Sequence, residues 1–374
     1  MTHARIGEGR SLAMVLPDPW TRSDSKKLLP TDARAHNRTL VLRTVLRTPD
    51  VSRADVARIT GLSRITVSDL VGGLVGDGLL IETGARESKG RPGKPATPLQ
   101  VNPLAFAIIA IDLSQPHRFH GAVLSITGEI LHRAEVRGDL TGGGALTAVV
   151  NLIARLQSAT APRIGGIGIG SPGIVDGSGT VVESTNLGWR RLPLATQVSE
   201  RFGVPTIVEN DANAAVTAEL NVDGSEDLLL VRIGTGLGGA AIVNGHLVRG
   251  ANNAAGELGH ITMPGPGDSP VTVEATIQHL LEQGGDLGLL QRVGAVLGEQ
   301  LAPVVAMLDV PEIVIEGPHD LDVAAIAAAA ETAIAGLRRI GTGHPCRVRP
   351  GSHDEDVVLI GMADLLLSRT IATI

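Results

Sequence analysis

A chain of 374 residues with a single cysteine, Cys346, can build neither a disulfide framework nor a zinc site of several thiolates. Tyrosine is absent, and phenylalanine and tryptophan number only three and two. With 43% of its residues apolar, the core must be aliphatic, with glycine and alanine at its close contacts. No apolar run approaches the ~18 residues that cross a bilayer, and Met1 to Arg10 lacks the apolar segment of a secretory leader. A cytoplasmic location without a membrane partner is therefore expected. Beyond Lys94 there is no lysine. Residues 1–100 hold 16 Lys+Arg against 10 Asp+Glu, whereas residues 101–374 hold 16 against 29. A basic first part on an acidic remainder points the N-terminal part toward polyanions.

The length allows two or three domains. Residues 1–30 mix proline, serine and charge without periodicity and read as a disordered tail. From Arg34 to Arg47, Leu40, Val41, Val45 and Leu46 recur at helical spacing. Ser52 then stands as N-cap before Arg53–Thr60, with Asp55 as the acid of a capping box. Gly61-Leu62 makes a turn, and Ser63 caps a second helix that starts at Arg64 and ends near Gly76-Asp77-Gly78. Burial of Val56, Ile59, Leu62, Val67 and Leu70 would pack the two as a helix-turn-helix. The second helix of such a pair sets its first residues on base edges in the major groove. Here those are Ser63, Arg64, Ile65, Thr66 and Ser68, with Ile65 able to meet a thymine methyl. Leu79–Glu82 and Thr97–Val101 read as strands around a wing whose tip carries Arg86, Lys89, Arg91 and Lys94. Such a tip suits phosphates or a minor groove, and a solvated linker is the alternative. Residues 31–101 thus read as a winged helix-turn-helix DNA-binding domain.

Residues 102–374 read as an α/β body of two lobes, roughly 102–222 with 355–374, and 223–354. Phe106–Asp112, Gly121–Ile126 and Glu129–Leu131 are strand-like, Leu146–Leu156 is helical, and Ile164–Gly170 is a glycine-spaced strand. A second set starts at Leu228–Ile233 and runs into Gly234–Gly239; Ala324–Leu337 and Val357–Ser368 read as helices. Repetition of such a unit implies a cleft between lobes. The stretch around which the body is arranged is Val204–Ala215. There the β-branched pair Ile207-Val208 runs into Glu209, Asn210 and Asp211, and a helix begins. Ligands of open α/β sheets sit beyond the carboxyl ends of strands, and an amide beside a carboxylate suits sugar hydroxyls. A plain Asx N-cap is the alternative reading of Asn210.

Read in order, Thr60-Gly-Leu-Ser-Arg-Ile-Thr-Val-Ser68, Gly90-Arg-Pro92, Ile167-Gly-Ile-Gly-Ser-Pro-Gly173, Asn186-Leu-Gly-Trp189, Glu209-Asn-Asp-Ala-Asn-Ala214, Gly234-Thr-Gly-Leu-Gly238, Arg249-Gly-Ala251 and Gly256-Glu-Leu-Gly-His260 form a series. This series resembles the ROK family (repressor, open reading frame, kinase) over most of residues 34–374. The resemblance implies an actin-like, ribonuclease H-like body of two lobes closing on a sugar. It carries sugar contacts over to Gly173, Asn186, Asn210, Asp211, Glu257, His260 and Glu274. Within the family a fused winged helix marks transcriptional regulators of carbohydrate genes, and stand-alone kinases lack it. It also implies a double-stranded DNA operator, a sugar or sugar-phosphate effector, and a homodimer or homotetramer.

Two departures from the family pattern follow. Where the family's kinases have Asp-x-Gly-Gly-Thr, a loop whose N–H groups reach nucleotide phosphates, this chain has Asp112-Leu-Ser-Gln-Pro116. Both glycines are gone and the proline removes a donor. Asp211 matches the family's catalytic base but is expected to serve as a ligand acceptor. No enzymatic activity and no cofactor are expected. The family's zinc cysteines are missing from Met263–Glu274, so no metal is expected either, and this Pro- and Gly-rich loop reads as mobile until sugar binds. Two other readings remain open, an active sugar kinase and a regulator that answers to a protein partner. Trp189 reads as core.

Overall fold

The computed structural model describes residues 30–84, 97–160, 162–220, 226–265, 269–337 and 345–370. Residues 1–29 of the expected tail lie outside these, as do the wing-tip residues Arg86, Lys89, Arg91 and Lys94.

Helix α1 (Pro30–Arg47) turns Val41, Leu42 and Val45 onto a core shared with α2 (Arg53–Thr60) and α3 (Arg64–Gly76). Strand β1 (Val51–Ser52) precedes α2. The capping box is formed. Ser52 Oγ accepts from the Asp55 N–H at 3.2 Å, and Asp55 Oδ2 accepts from the Ser52 N–H at 3.2 Å. The Ser52 hydroxyl also donates to Asp55 Oδ2 at 2.7 Å, and this bond first, then Arg58 and the Ser52 N–H, hold the Asp55 carboxyl down at about 2. Gly61 ends α2 at φ +71°, a left-handed C-cap natural to glycine. Val56, Val67 and Leu70 are buried, Leu62 is half-buried, and Ile59 is 51% exposed. The last differs from expectation for a simple reason. The buried stripe of this two-turn helix runs from Val56 toward Ala57, and Ile59, about 160° around the helix from Ala57, falls on the stripe's far edge in the last turn. Strands β2 (Leu80–Glu82) and β3 (Pro98–Val101) complete an antiparallel sheet of order β1-β3-β2, the base of a wing.

The body repeats one plan twice. In the first lobe β4 (Ala107–Gln115), β5 (Arg118–Ser125) and β6 (Ile130–Arg137) form an antiparallel meander. Helix α4 (Gly142–Ser158) then crosses to β7 (Ile164–Ser171), parallel to β4. A small sheet follows, β8 (Ile174–Val175), β9 (Val181–Ser184) and β10 (Trp189–Leu192). Then come α5 (Leu194–Phe202), β11 (Thr206–Asn210) and α6 (Asp211–Glu219), giving the order β11-β7-β4-β5-β6. In the second lobe the meander is β12 (Leu228–Ile233), β13 (Leu237–Val243) and β14 (His246–Leu247). A hairpin of β15 (Thr262–Pro264) and β16 (Pro270–Thr272) leads to α7 (Val273–Glu282) and α8 (Leu287–Leu308). Strand β17 (Glu312–Glu316), α9 (Val323–Leu337) and β18 (Arg347–Pro350) complete the sheet β14-β13-β12-β17-β18. Helix α10 (Val357–Thr370) returns to the first sheet.

The strands are longer than the apolar runs suggested, since β4 continues past Asp112 to Gln115. Gly238 and Gly239 belong to β13, not to the turn before it. Much of Met263–Glu274 is the β15–β16 hairpin; residues 266–268 lie outside the described set.

Strand alternation sorts each sheet into two faces. Ala107, Ile109 and Ile111 join α4 and α5 in one core, while Leu229, Val231 and Ile233 join α7, α8 and α9 in another. The opposite rows, Ile108 and Ala110, Leu228 and Leu230, and Val314, meet α6 and α10 in a third. That core is continuous with the winged helix. On β7, Ile167 and Ile169 take the outer face, and Gly166, Gly168 and Gly170 lie against Leu366, Met362 and Val358 of α10. Those three side chains are spaced by four, one stripe of a helix. Helix α10 crosses α6 so closely that an added Cβ on Gly361 would overlap the Ala214 carbonyl. The spine between the lobes is thus two helices in backbone contact.

Candidate functional site

The even-numbered rows that feed the central core run off the ends of their strands into charged residues. On β4 the row Ile108, Ala110 continues to Asp112. On β12, Leu228 and Leu230 continue to Arg232, and on β17 Val314 continues to Glu316. Asp112 is the last residue of β4 paired with β7, and Arg232, opposite Glu316, is the last of β12 paired with β17. The repeat therefore presents an acid from one lobe and a base from the other at matching positions.

They meet in the cleft. Arg232 Nη1 donates to Asp211 Oδ2 at 2.8 Å, its Nη2 lies 3.7 Å from Asp112 Oδ2, and its Nε lies 3.6 Å from Glu316 Oε2. Asp112 is fully buried and also accepts from the Ser114 N–H at 2.8 Å and the Ser114 hydroxyl at 3.0 Å. Burial pushes the Asp211 carboxyl above its ordinary range, and Arg232 opposes that shift. Burial also raises Glu316, to about 8, again against the pull of Arg232. The strand end that would carry a phosphate loop is closed by a two-residue turn, Pro116-His117, with His117 at φ +62°.

Asn210 is the N-cap of α6: its Oδ1 accepts from the Asn213 N–H at 3.0 Å, and its Nδ2 donates to the Gly173 carbonyl at 3.0 Å. The amide retains one N–H and one lone pair for a ligand. Gly173 has φ +92°, and a Cβ there would overlap the Glu183 carbonyl, so only glycine fits. Glu209, which was not among the expected sugar contacts, is buried. Its Oε1 accepts from the Asn213 amide at 3.0 Å, and its Oε2 takes Arg249 Nη2 at 2.7 Å. That ion pair ties the strand before Asn210 to the segment leading into Gly256–His260.

Of the other expected sugar contacts, Glu257, His260 and Glu274 have partners of their own. Glu257 and His260 flank a single 3-10 turn, their side chains 3.5 Å apart, with that of His260 77% exposed. Glu274 Oε2 accepts from the Leu237 N–H at 2.8 Å and so closes the turn after Gly234-Thr235-Gly236. Asn186 is exposed in the turn between β9 and β10, beside the start of α4. Trp189 is buried, its Nε1 donating to the Gly142 carbonyl at 2.9 Å.

On the winged helix, Ser63 and Thr66 are bound to one another through the cap of α3, hydroxyl to hydroxyl at 2.8 Å. Ser68 Oγ accepts from Arg53 Nη1 at 2.9 Å, so its hydroxyl is committed to α2. Arg64 is exposed and Ile65 is 84% exposed, at the outward start of α3.

Comparison with known proteins places this geometry among relatives. Residues 108–276 match the model of the ROK family. The chain is 36% identical over 237 residues to a putative xylose repressor of Caldicellulosiruptor sp. (strain Rt8B.4), covering 61% of this chain and 58% of that one. It is 30% identical over 236 residues to the xylose repressor of Bacillus subtilis (strain 168), covering 61% and 60%. The chain thus spans about three fifths of the length of these curated relatives. A ROK family transcriptional regulator, a homologue of the E. coli MLC protein, superposes with TM-score 0.73 at 19% identity over 91% of this chain and all of that one. A ROK glucokinase from Streptomyces griseus, solved with glucose and AMPPNP, superposes with TM-score 0.58 at 24% identity over 69% of this chain and 98% of that one. The body has the two-lobed, actin-like fold.

Proposed function

From a chain that carries a ROK family domain over residues 108–276, we propose a DNA-binding transcriptional repressor whose two-lobed body takes a sugar as effector. The observation that carries this reading is the pairing of two surfaces. One is a capped helix start with Arg64 and Ile65 facing outward; the other is a cleft where Asn210 and Asp211 stand at a strand end. The named repressors among its relatives support it, and they make xylose the first sugar to try.

In this reading Arg64 and Ile65 touch bases, and Ser63, Thr66 and Ser68 hold α3 in shape beside them. Arg86, Lys89, Arg91 and Lys94 approach phosphates or the minor groove. Asn210 and Asp211 bind sugar hydroxyls from one lobe, while Glu257, His260 and Glu274 close from the other; Gly173 and Asn186 complete the pocket. The protein works as a homodimer or homotetramer in the cytoplasm, because paired half-sites suit a two-fold assembly. Sugar binding changes the angle between lobes and so the fit of paired winged helices to DNA.

Phosphoryl transfer is not part of this function. A base must be within reach of the hydroxyl proton, yet Asp211 is engaged by Arg232, and the turn at Pro116 offers a phosphate no glycine-rich cradle. Selection of bound duplexes from a random library, followed by anisotropy titrations over several salt concentrations, tests the DNA reading. Arg64→Ala is expected to weaken the selected sequence by about 1–3 kcal/mol while leaving unselected DNA unchanged. Equal affinity of wild type and variant for the selected sequence would sink the assignment of α3. ATP consumption with any sugar in the panel would restore the kinase reading.

A further inference from the structure

We propose that Arg232 is a built-in counter-ion that closes the cleft to anions, so that the effector is an uncharged sugar and its phosphate ester is refused. The inference rests on the sugar reading above and adds the class of ligand and the residue that sets it.

A guanidinium in a sugar cleft would ordinarily suggest the reverse, a seat for phosphate. The surroundings decide otherwise. Arg232 has the Asp211 carboxylate at 2.8 Å, Asp112 at 3.7 Å and Glu316 at 3.6 Å, three acids from β4, α6 and β17 converging on one cation. One of its N–H groups is hydrogen-bonded to Asp211, and two further carboxyl groups stand within ion-pair distance of its charge. Burial raises Glu316 to about 8 and raises Asp211 as well, and the fully buried Asp112 stands beside the same guanidinium, so its charge is met inside the protein. An incoming phosphate would meet a negative wall in a partly desolvated cleft, where charges a few ångströms apart still interact strongly.

The two meander hairpins, β4–β5 and β12–β13, face each other at this point. One ends in the Pro116-His117 turn, and the other in Gly234-Thr235-Gly236 with its following N–H taken by Glu274. The hydroxyl groups of a sugar, by contrast, suit the same wall: Asp211 accepts, Asn210 donates and accepts, and no net charge has to be desolvated.

The test uses the full chain and matched ligand pairs: an aldopentose and its 5-phosphate, an aldohexose and its 6-phosphate, and Mg-ATP. Binding is followed by calorimetry at low and high salt. The sugar that binds is expected to lose at least about tenfold in affinity on phosphorylation, with the loss shrinking as salt screens it. In Asp112→Asn the ratio of ester to parent affinity is expected to rise by about tenfold, because Arg232 is then balanced by Asp211 alone. A steric exclusion would respond neither to salt nor to that substitution, so insensitivity to both overturns the proposal. An ester that binds as tightly as its parent also overturns it. If neither form of any sugar binds, the sugar reading fails and this inference fails with it. The salt dependence needs only the natural chain, so the proposal stays testable should Asp112→Asn not fold.

Discussion

Asp364 lies on α10 within the spine of the molecule, fully buried, with its Oδ1 in contact with no hydrogen-bond donor among the described residues. Desolvation raises its carboxyl well above the usual range. The folded chain therefore keeps a proton that the unfolded chain releases above about pH 4. The stabilisation is complete below that pH and falls as pH rises toward the folded value, by at most about 1.4 kcal/mol per pH unit. Asp364→Asn, which holds no proton to lose, is expected to flatten this slope and to be the more stable form at neutral pH. Urea melts of both proteins between pH 4 and 8 measure it; parallel curves would remove Asp364 from the account. Glu316 has the same sign over a defined window. Its contribution is present below about pH 4.5 and is lost as pH rises through about 8. Glu316→Gln should remove that part of the slope.

Among elements, β7 shows how a sequence pattern becomes packing. Its alternation of isoleucine and glycine is a period of two, with one row for the outer core and a bare row on which a helix can lie. Gly168→Val would push two extra carbons and a methyl branch into Met362 of α10. A loss of several kcal/mol is expected, more than the ~1–3 kcal/mol of ordinary overpacking, because strand backbone and helix backbone meet there. Thermal denaturation checks it, and a loss below about 1 kcal/mol would mean the helix can move away. The glycine row was legible in the sequence as a strand, and the caps at Ser52 and Ser63 were legible as helix starts, because those signals are local. The 22-residue α8 was not, since Pro303 interrupts its pattern. The charged cluster was only half legible. Glu209, Asn210 and Asp211 stood out together, yet Arg232 and Glu316 each end an apolar run by the same rule. What brings them to Asp112 is the repeat of one sheet plan in space, which no short stretch displays.

At the scale of the molecule, three cores are joined by two helices, and the central core reaches the winged helix without a break. The lobes are also tied by charge. Arg249 holds Glu209 at 2.7 Å, and Arg349 holds Glu219 at 2.6 Å. Buried pairs of this kind contribute less to stability than to a single arrangement, because desolvation offsets most of the attraction. Helices α6 and α10 run through that central core, and their contact at Gly361 and Ala214 leaves no room for one to slide on the other.

The return of α10 to the first sheet has a temporal side. The glycine row of β7 leaves the translation machinery long before Val358, Met362 and Leu366, the side chains that cover it, have been made. Through the synthesis of nearly two hundred intervening residues the first lobe presents an open apolar groove to its surroundings, the sort of surface that chaperones hold and that aggregation exploits. A chain halted at residue 356 should accumulate as an associating or chaperone-bound species, and adding residues 357–370 in trans as a peptide should restore a soluble form. The first lobe is thus the earliest part of the body to be synthesised and among the last to close.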